Sequence, residues 1–179
     1  MDNLSPFTPD IVAGLDQLGF DNIRVEYSKV SSADLANSGR VILSGRRKNK
    51  KEINSANSAI IRHCFDSAKP LLGICYGAEI IALTLGGTIR KMPAHMQGQM
   101  RVSVDKRTFL TGDKSVIDVY ESHAFCIARL PADFVPLASS DSCKYEIFTH
   151  TQKPIFGTQF HPEKSGNDGT VLLERFAGL

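Results

Sequence analysis

The segment Leu71-Leu72-Gly73-Ile74-Cys75-Tyr76-Gly77-Ala78 constrains this chain more than any other, because a short apolar strand runs straight into an apolar helix through Gly-x-Cys-x-Gly. Glycines at these positions allow a strained strand-to-helix turn that lifts one side chain above the edge of the sheet. Here that side chain is a thiol. At a helix N-terminus it meets the positive end of the helix dipole, which favours the thiolate. A buried core cysteine is the alternative, since free cysteine is among the most buried residue types, and the turn alone does not separate the two readings.

A second segment bears on the choice. Residues 154–163 read Pro-Ile-Phe-Gly-Thr-Gln-Phe-His-Pro-Glu, an apolar strand whose end carries His161 and, two residues on, Glu163. A cysteine nucleophile needs a base, and the base needs an acceptor on its other ring nitrogen. Taken singly, His161 reads as a strand-end histidine and Glu163 as a solvated charge. Across the rigid Pro162, however, the carboxylate can reach back to the imidazole.

These two anchors, Gly-Ile-Cys-Tyr-Gly and Gln-Phe-His-Pro-Glu in this order and at this separation, make the chain resemble the class I (triad) glutamine amidotransferases over nearly all of its 179 residues. The resemblance implies a single domain, 1–179, that hydrolyses the side-chain amide of glutamine and passes ammonia to a synthetase. It implies Cys75 as nucleophile, His161 as acid and base, and Glu163 as the group orienting His161. It also implies an oxyanion hole from the backbone N–H of Tyr76 and from the turn Leu43-Ser44-Gly45-Arg46. Glu79, Ser122, Ala124 and Phe125 match the substrate-binding positions. His123, between them, reads as a loop histidine of which only the backbone matters.

Two departures from the family pattern stand out. The oxyanion turn usually carries a Gly-Gly pair, and this chain has Gly45-Arg46-Arg47; an arginine does not readily adopt positive φ, which puts the resting geometry of that turn in question. Glu79 stands where most relatives have glutamine, and an ionised carboxylate cannot donate a hydrogen bond. Similar γ-glutamyl hydrolases carry Glu there, so the change points to altered specificity.

Among the subfamilies, Ala138-Ser139-Ser140, Cys143 and Phe148-x-His150 are most similar to the glutaminase subunit of GMP synthase, which would make GMP from XMP. The subunits of anthranilate and aminodeoxychorismate synthase come next. A stand-alone γ-glutamyl hydrolase is a different class, which Glu79 favours, and a binding module that kept the turn without activity is a third reading. The chain has neither a P-loop nor a Ser-Gly-Gly-x-Asp-like pyrophosphatase motif. ATP and Mg are therefore expected on a partner, an ATP-dependent synthetase of the GMP synthase ATP pyrophosphatase type, and no cofactor or metal is expected here.

Composition narrows the setting. With 42% hydrophobic residues the chain can bury one substantial core. A net charge of +2 gives no global case for nucleic acid or an anionic membrane. The four cysteines lack any Cys-x-x-Cys spacing, which argues against a zinc site or redox pair. The first residues are acidic and polar where a signal peptide would be basic and then apolar, and no apolar stretch approaches the length of a membrane span, so a cytoplasmic enzyme is expected. The run Arg46-Arg47-Lys48-Asn49-Lys50-Lys51 holds five cations in six residues. It reads either as a solvated loop or as a docking surface for an acidic or nucleotide-carrying partner.

Along the chain, helices are expected at Pro9–Leu18, Ile53–Phe65, Gly77–Leu85 and Thr170–Phe176. Strands are expected at Ile23–Tyr27, Val41–Leu43, before Cys75, around Val102, and at Val116–Tyr120, Phe134–Leu137, Tyr145–His150 and Ile155–Gln159. This alternation predicts an α/β three-layer sandwich of flavodoxin-like type, with a mostly parallel central sheet and an antiparallel excursion in the second half. A strand before the first helix is also expected, yet only Met1–Leu4 remain for it. Either the fold lacks most of that strand or translation starts upstream.

Overall fold

The computed structural model describes all 179 residues. Helices α1 (Thr8–Gln17), α2 (Ser32–Asn37), α3 (Lys51–Ser67), α4 (Tyr76–Thr84) and α5 (Gly166–Ala177) alternate with strands β1 (Val41–Leu43), β2 (Leu71–Ile74), β3 (Thr88–Val104), β4 (Val116–Arg129), β5 (Phe134–Ser139), β6 (Ile147–His150) and β7 (Ile155–Thr158). The strands form one sheet in the order β1-β2-β7-β6-β5-β3-β4. Its β1-β2-β7 portion is parallel, and the four remaining pairings are antiparallel. The antiparallel part is thus larger than the expected excursion, and the sheet is mixed.

Side-chain alternation along β2 divides the core. Leu72 and Ile74 face α1 and α5, joining Ile11, Leu15, Leu172 and Phe176. Leu71 faces α3 and α4, joining Ile53, Ile60, Ile61 and Ile81. Helix α3 buries Ile53, Asn57, Ile60, Ile61 and Cys64, the stripe of a helix packed on one side. Together these two faces make three layers.

Two expected strands take other forms. Ile23–Tyr27 makes a single parallel bridge, Glu26 with Asp2, and Ile23 is 68% exposed. Met1–Asn3 lie between that segment and β1: the Met1 amine donates to Ile42 O at 2.7 Å, and Asp2 N–H donates to Val25 O at 2.8 Å. Leu4, at φ +63, then turns the chain away, so residues 1–3 supply strand-like pairing without becoming a strand. The region around Val102 is instead the end of a 17-residue strand. Most of β3 is exposed ribbon paired with β4, so its polar residues concealed it from an apolar pattern.

Candidate active site

The carboxyl ends of the parallel strands β2 and β7 carry the two anchors side by side. Ile74 pairs with Thr158, and Cys75 N–H continues the ladder by donating to Thr158 O at 2.7 Å. Cys75 then caps α4 at φ +52, ψ −107, the strained apex the sequence predicts. Such a conformation costs on the order of 1–3 kcal/mol and has to be held by its surroundings. The flanking glycines serve close approach and do not themselves take positive φ. A Cβ on Gly73 would lie 2.5 Å from the Gly77 carbonyl carbon, and one on Gly77 would lie 2.4 Å from Leu43 O. No side chain fits at either position, so β1, β2 and α4 meet backbone to backbone beneath the thiol.

The thiol is buried, 7% exposed, and its Sγ lies 3.7 Å from Ser122 O, to which it donates. Burial pushes its pKa well up, and the neighbouring Glu79, Glu121 and Glu163 push the same way, while the Tyr76 N–H, aimed at the sulfur, works against them. In the resting protein Cys75 is therefore a neutral thiol. Position at a helix N-terminus does not by itself make the thiolate, because desolvation and three acidic neighbours outweigh it.

His161, just past β7, is fixed on several sides. Its backbone N–H donates to Tyr120 O at 2.9 Å, Ser165 Oγ donates to its carbonyl at 2.6 Å, and the Phe7 ring meets the imidazole edge-on at 4.9 Å. Its Nδ1 lies 2.8 Å from Glu163 Oε1, and the Glu163 side chain is fully buried. A carboxylate only accepts, so Nδ1 carries the proton and Nε2 is left free for chemistry.

Gly45 follows β1, and a Cβ there would lie 3.1 Å from His161 Cε1 and 3.4 Å from Ser5 Oγ. Neither Gly45 nor Arg46 has positive φ, so the arginine is not strained by replacing a glycine. Its guanidinium stacks 3.8 Å above the Tyr76 ring and donates to Asn49 and Asn54 at 2.7 and 2.6 Å. Asn54 in turn accepts from the Tyr76 hydroxyl at 2.8 Å. Arg46 thereby ties the basic loop, the start of α3 and the residue after Cys75 into one unit.

The Glu121–Phe125 segment is not a loop but lies within β4. The view of His123 as a residue valued for its backbone alone also fails. Its ring is buried, with Nδ1 2.7 Å from Phe125 O and Nε2 2.9 Å from Glu121 Oε2. The second contact is at ion-pair distance but out of line, leaving both Glu121 oxygens without a well-directed hydrogen bond. With an acceptor facing each ring nitrogen His123 favours its charged form, and against the opposing effect of burial its pKa is raised. Of the other expected substrate positions, Phe125 is 40% exposed and Ala124 half-buried. Glu79 is buried beside Gln159 and is pushed up to about 7, chiefly by desolvation.

Sequence reasoning missed Glu146. Burial and the adjacent Glu121 push it up to about 9, and it accepts a hydrogen bond from Ser140 at 2.6 Å. An acidic residue beside an otherwise apolar strand, Glu146 before Ile147-Phe148, was the available signal.

A thiol at a strained turn, with a buried histidine–carboxylate pair at the end of the neighbouring strand, is the equipment of thiol-dependent acyl transfer. The chain belongs to the class I glutamine amidotransferase family, whose model matches residues 1–178. It is similar to a candidate GMP synthase subunit from Thermoplasma acidophilum, with 33% identity, a TM-score of 0.89, and coverage of 99% of this chain and 90% of that one. It is also 33% identical over 150 residues to GMP synthase [glutamine-hydrolyzing] of Serratia proteamaculans, and 34% to that of Yersinia pestis. These alignments cover 78% of this chain but only 28% of each relative's length. A glutamine amidotransferase from Thermotoga maritima, at 18% identity and a TM-score of 0.74 over 88% of this chain and 70% of that one, shares the fold. No helix is long and apolar enough to cross a membrane.

Proposed function

We propose that this chain is one glutaminase domain, residues 1–179, serving as the subunit that releases ammonia from glutamine for a separate ATP-dependent synthetase making GMP from XMP. The observation that carries the chemistry is the pairing of β2 with β7, which sets the Cys75 turn beside the strand that delivers His161 and Glu163. Likeness to GMP synthases along most of the chain supports the acceptor, over the anthranilate and aminodeoxychorismate alternatives.

In this reading His161 Nε2 takes the thiol proton as glutamine binds, and the sulfur attacks the amide carbon. The developing oxyanion is met by the N–H groups of Tyr76 and of the Gly45-Arg46 turn. The C–N bond then breaks as imidazolium returns the proton to nitrogen, and ammonia leaves a γ-glutamyl thioester. His161 next deprotonates water, which attacks the thioester; the C–S bond breaks and glutamate departs. Glu163 keeps Nδ1 protonated throughout. Glu79, Ser122, Ala124 and Phe125 line the substrate side. No cofactor enters these steps, and ATP and Mg belong to the synthetase.

The basic loop supports the partner. Arg47, Lys48, Lys50 and Lys51 are exposed, and none forms an ion pair. They surround the unit through which Arg46 touches Tyr76, so an acidic face of the synthetase docking there would reach the oxyanion donors.

The test is glutamate release from glutamine by wild type, Cys75→Ala and Glu163→Gln, with and without XMP and the ATP pyrophosphatase partner. Cys75→Ala should be inactive with an unchanged thermal transition, and Glu163→Gln only partly impaired, because an amide oxygen still accepts from Nδ1. Turnover by Cys75→Ala near the wild-type rate would end the assignment.

A further inference from the structure

We propose that Glu79 serves this site as a neutral carboxylic acid paired with the Gln159 carboxamide, and that loss of its proton turns the nucleophile off. The role in turnover rests on the glutaminase reading above; the protonation state does not. Glu79 is the fourth residue of α4, and its side chain turns inward, with the residue only 6% exposed. Gln159, fully buried one residue beyond β7, donates from Nε2 to Glu79 Oε1 at 3.3 Å. The other amide atom, Gln159 Oε1, is buried and has no donor. A carboxylate offers only further acceptors to that oxygen. A carboxylic acid can return a hydrogen bond to it, completing an acid–amide pair in which each partner donates once.

Charged and titratable groups face Glu79 from several elements. Arg46, after β1, and His123, on β4, favour its ionised form, as does the Gln159 bond, yet desolvation outweighs all three. At the start of α4 lie its N-cap Cys75 and Tyr76, and β4 contributes Cys126; all three are acids, and a negative Glu79 raises each of them. The facing turn of α3 contributes the neutral Asn54, and β2 and β7 contribute no titratable group.

Among Cys75's neighbours Glu79 is the carboxylate that most opposes the thiolate. Thiol and carboxyl therefore compete for one negative charge. The productive distribution places that charge on sulfur and leaves Glu79 protonated, able to donate a hydrogen bond. Its tautomer, with the thiol neutral and Glu79 ionised, is unproductive, and at higher pH the donor is lost altogether. For a group titrating near 7, the protonated fraction falls about tenfold between pH 6 and pH 8. The pH dependence of turnover is thus set partly by a residue that never bonds to the reacting carbon, which makes Glu79 a positioning residue.

Three readouts separate the possibilities. Infrared difference spectra between pH 6 and pH 9 should show a protonated-carboxyl band in wild type that is missing in Glu79→Gln, the subtraction removing the separate contribution of Glu146. Alkylation of Cys75 by iodoacetamide, followed against pH, should reach half its maximum at lower pH in Glu79→Gln, because a negative charge has gone. Glutaminase turnover of the partner-bound enzyme should fall about tenfold between pH 6 and pH 8 through its alkaline limb in wild type, and that limb should be absent in Glu79→Gln. A Glu79 carboxyl band that vanishes already near pH 4 to 5 overturns the proposal, as does an alkylation profile identical in the two proteins. Both physical signatures appearing in a chain that hydrolyses no glutamine would refute the glutaminase reading and leave the protonation of Glu79 standing.

Discussion

Replacing Gly45 with alanine tests whether the site depends on the close fit between the turn after β1 and the imidazole. Gly45 does not occupy the positive-φ region, so its backbone accepts alanine without strain. The added methyl would lie 3.1 Å from His161 Cε1, where ordinary contact begins at about 3.4 Å or beyond, so the neighbour must retreat by a few tenths of an ångström. The ring cannot simply tilt, because Nδ1 is held at 2.8 Å by Glu163 and Phe7 closes another side at 4.9 Å. Crowding of this kind costs about 1–3 kcal/mol, offset by about 0.4–1 kcal/mol from the stiffer unfolded chain, so the net loss of stability should fall between about 0 and 2.6 kcal/mol. Catalysis is more sensitive, since a displacement of 1 Å can cost about 10²-fold; a few tenths should lower kcat by roughly fourfold. Thermal unfolding and partner-stimulated glutamate release, measured on the same preparation, give both numbers. A variant that keeps kcat within about twofold of wild type would refute the argument that Gly45 exists to make room for His161.

Two further predictions concern charge. Changing Arg47, Lys48, Lys50 and Lys51 to serine, with Arg46 left in its contact with Tyr76, should abolish stimulation by the synthetase while sparing the activity of the isolated chain; titration of glutamate release against synthetase at two salt concentrations checks it, and unchanged stimulation would exclude the loop as the docking surface. Glu146, raised to about 9 in the folded chain from an ordinary carboxylate value near 4.3, binds a proton that the unfolded chain has released across that interval. Its contribution to stability is therefore complete below about pH 4 and is lost as pH rises toward 9, so wild type should unfold at progressively lower temperature from pH 5 to pH 9 while Glu146→Gln shows a flatter profile.

What the sequence made legible was whatever an apolar pattern or a special residue marks. The Cys75 turn, α3, α4 and the strand leading to His161 stand out because their burial is almost entirely apolar: every residue of β2 and β7 is buried. The glycines of the turn were legible as necessary, but their reason was not. Positive φ and close approach both demand glycine, and only the position of Leu43 O, set by a strand about thirty residues earlier, shows which applies at Gly77. The β4 segment was hidden for a different reason. Glu121 and His123 point inward, and their polarity makes a buried strand look like an exposed loop, although the two lie buried on one strand face at ion-pair distance. Glu146 escaped notice likewise, and Glu79 stood out without its burial being legible, since hydropathy treats a buried protonated acid and a solvated carboxylate alike. Which acids are buried depends on partners far away in sequence, Gln159 for Glu79 and Glu121 for Glu146, so the electrostatics of the thiol are set by tertiary contacts that no local pattern records. The same contacts explain why a cysteine at a helix N-terminus, expected to be reactive by position alone, rests here as a neutral thiol whose ionisation depends on where its neighbours' protons lie.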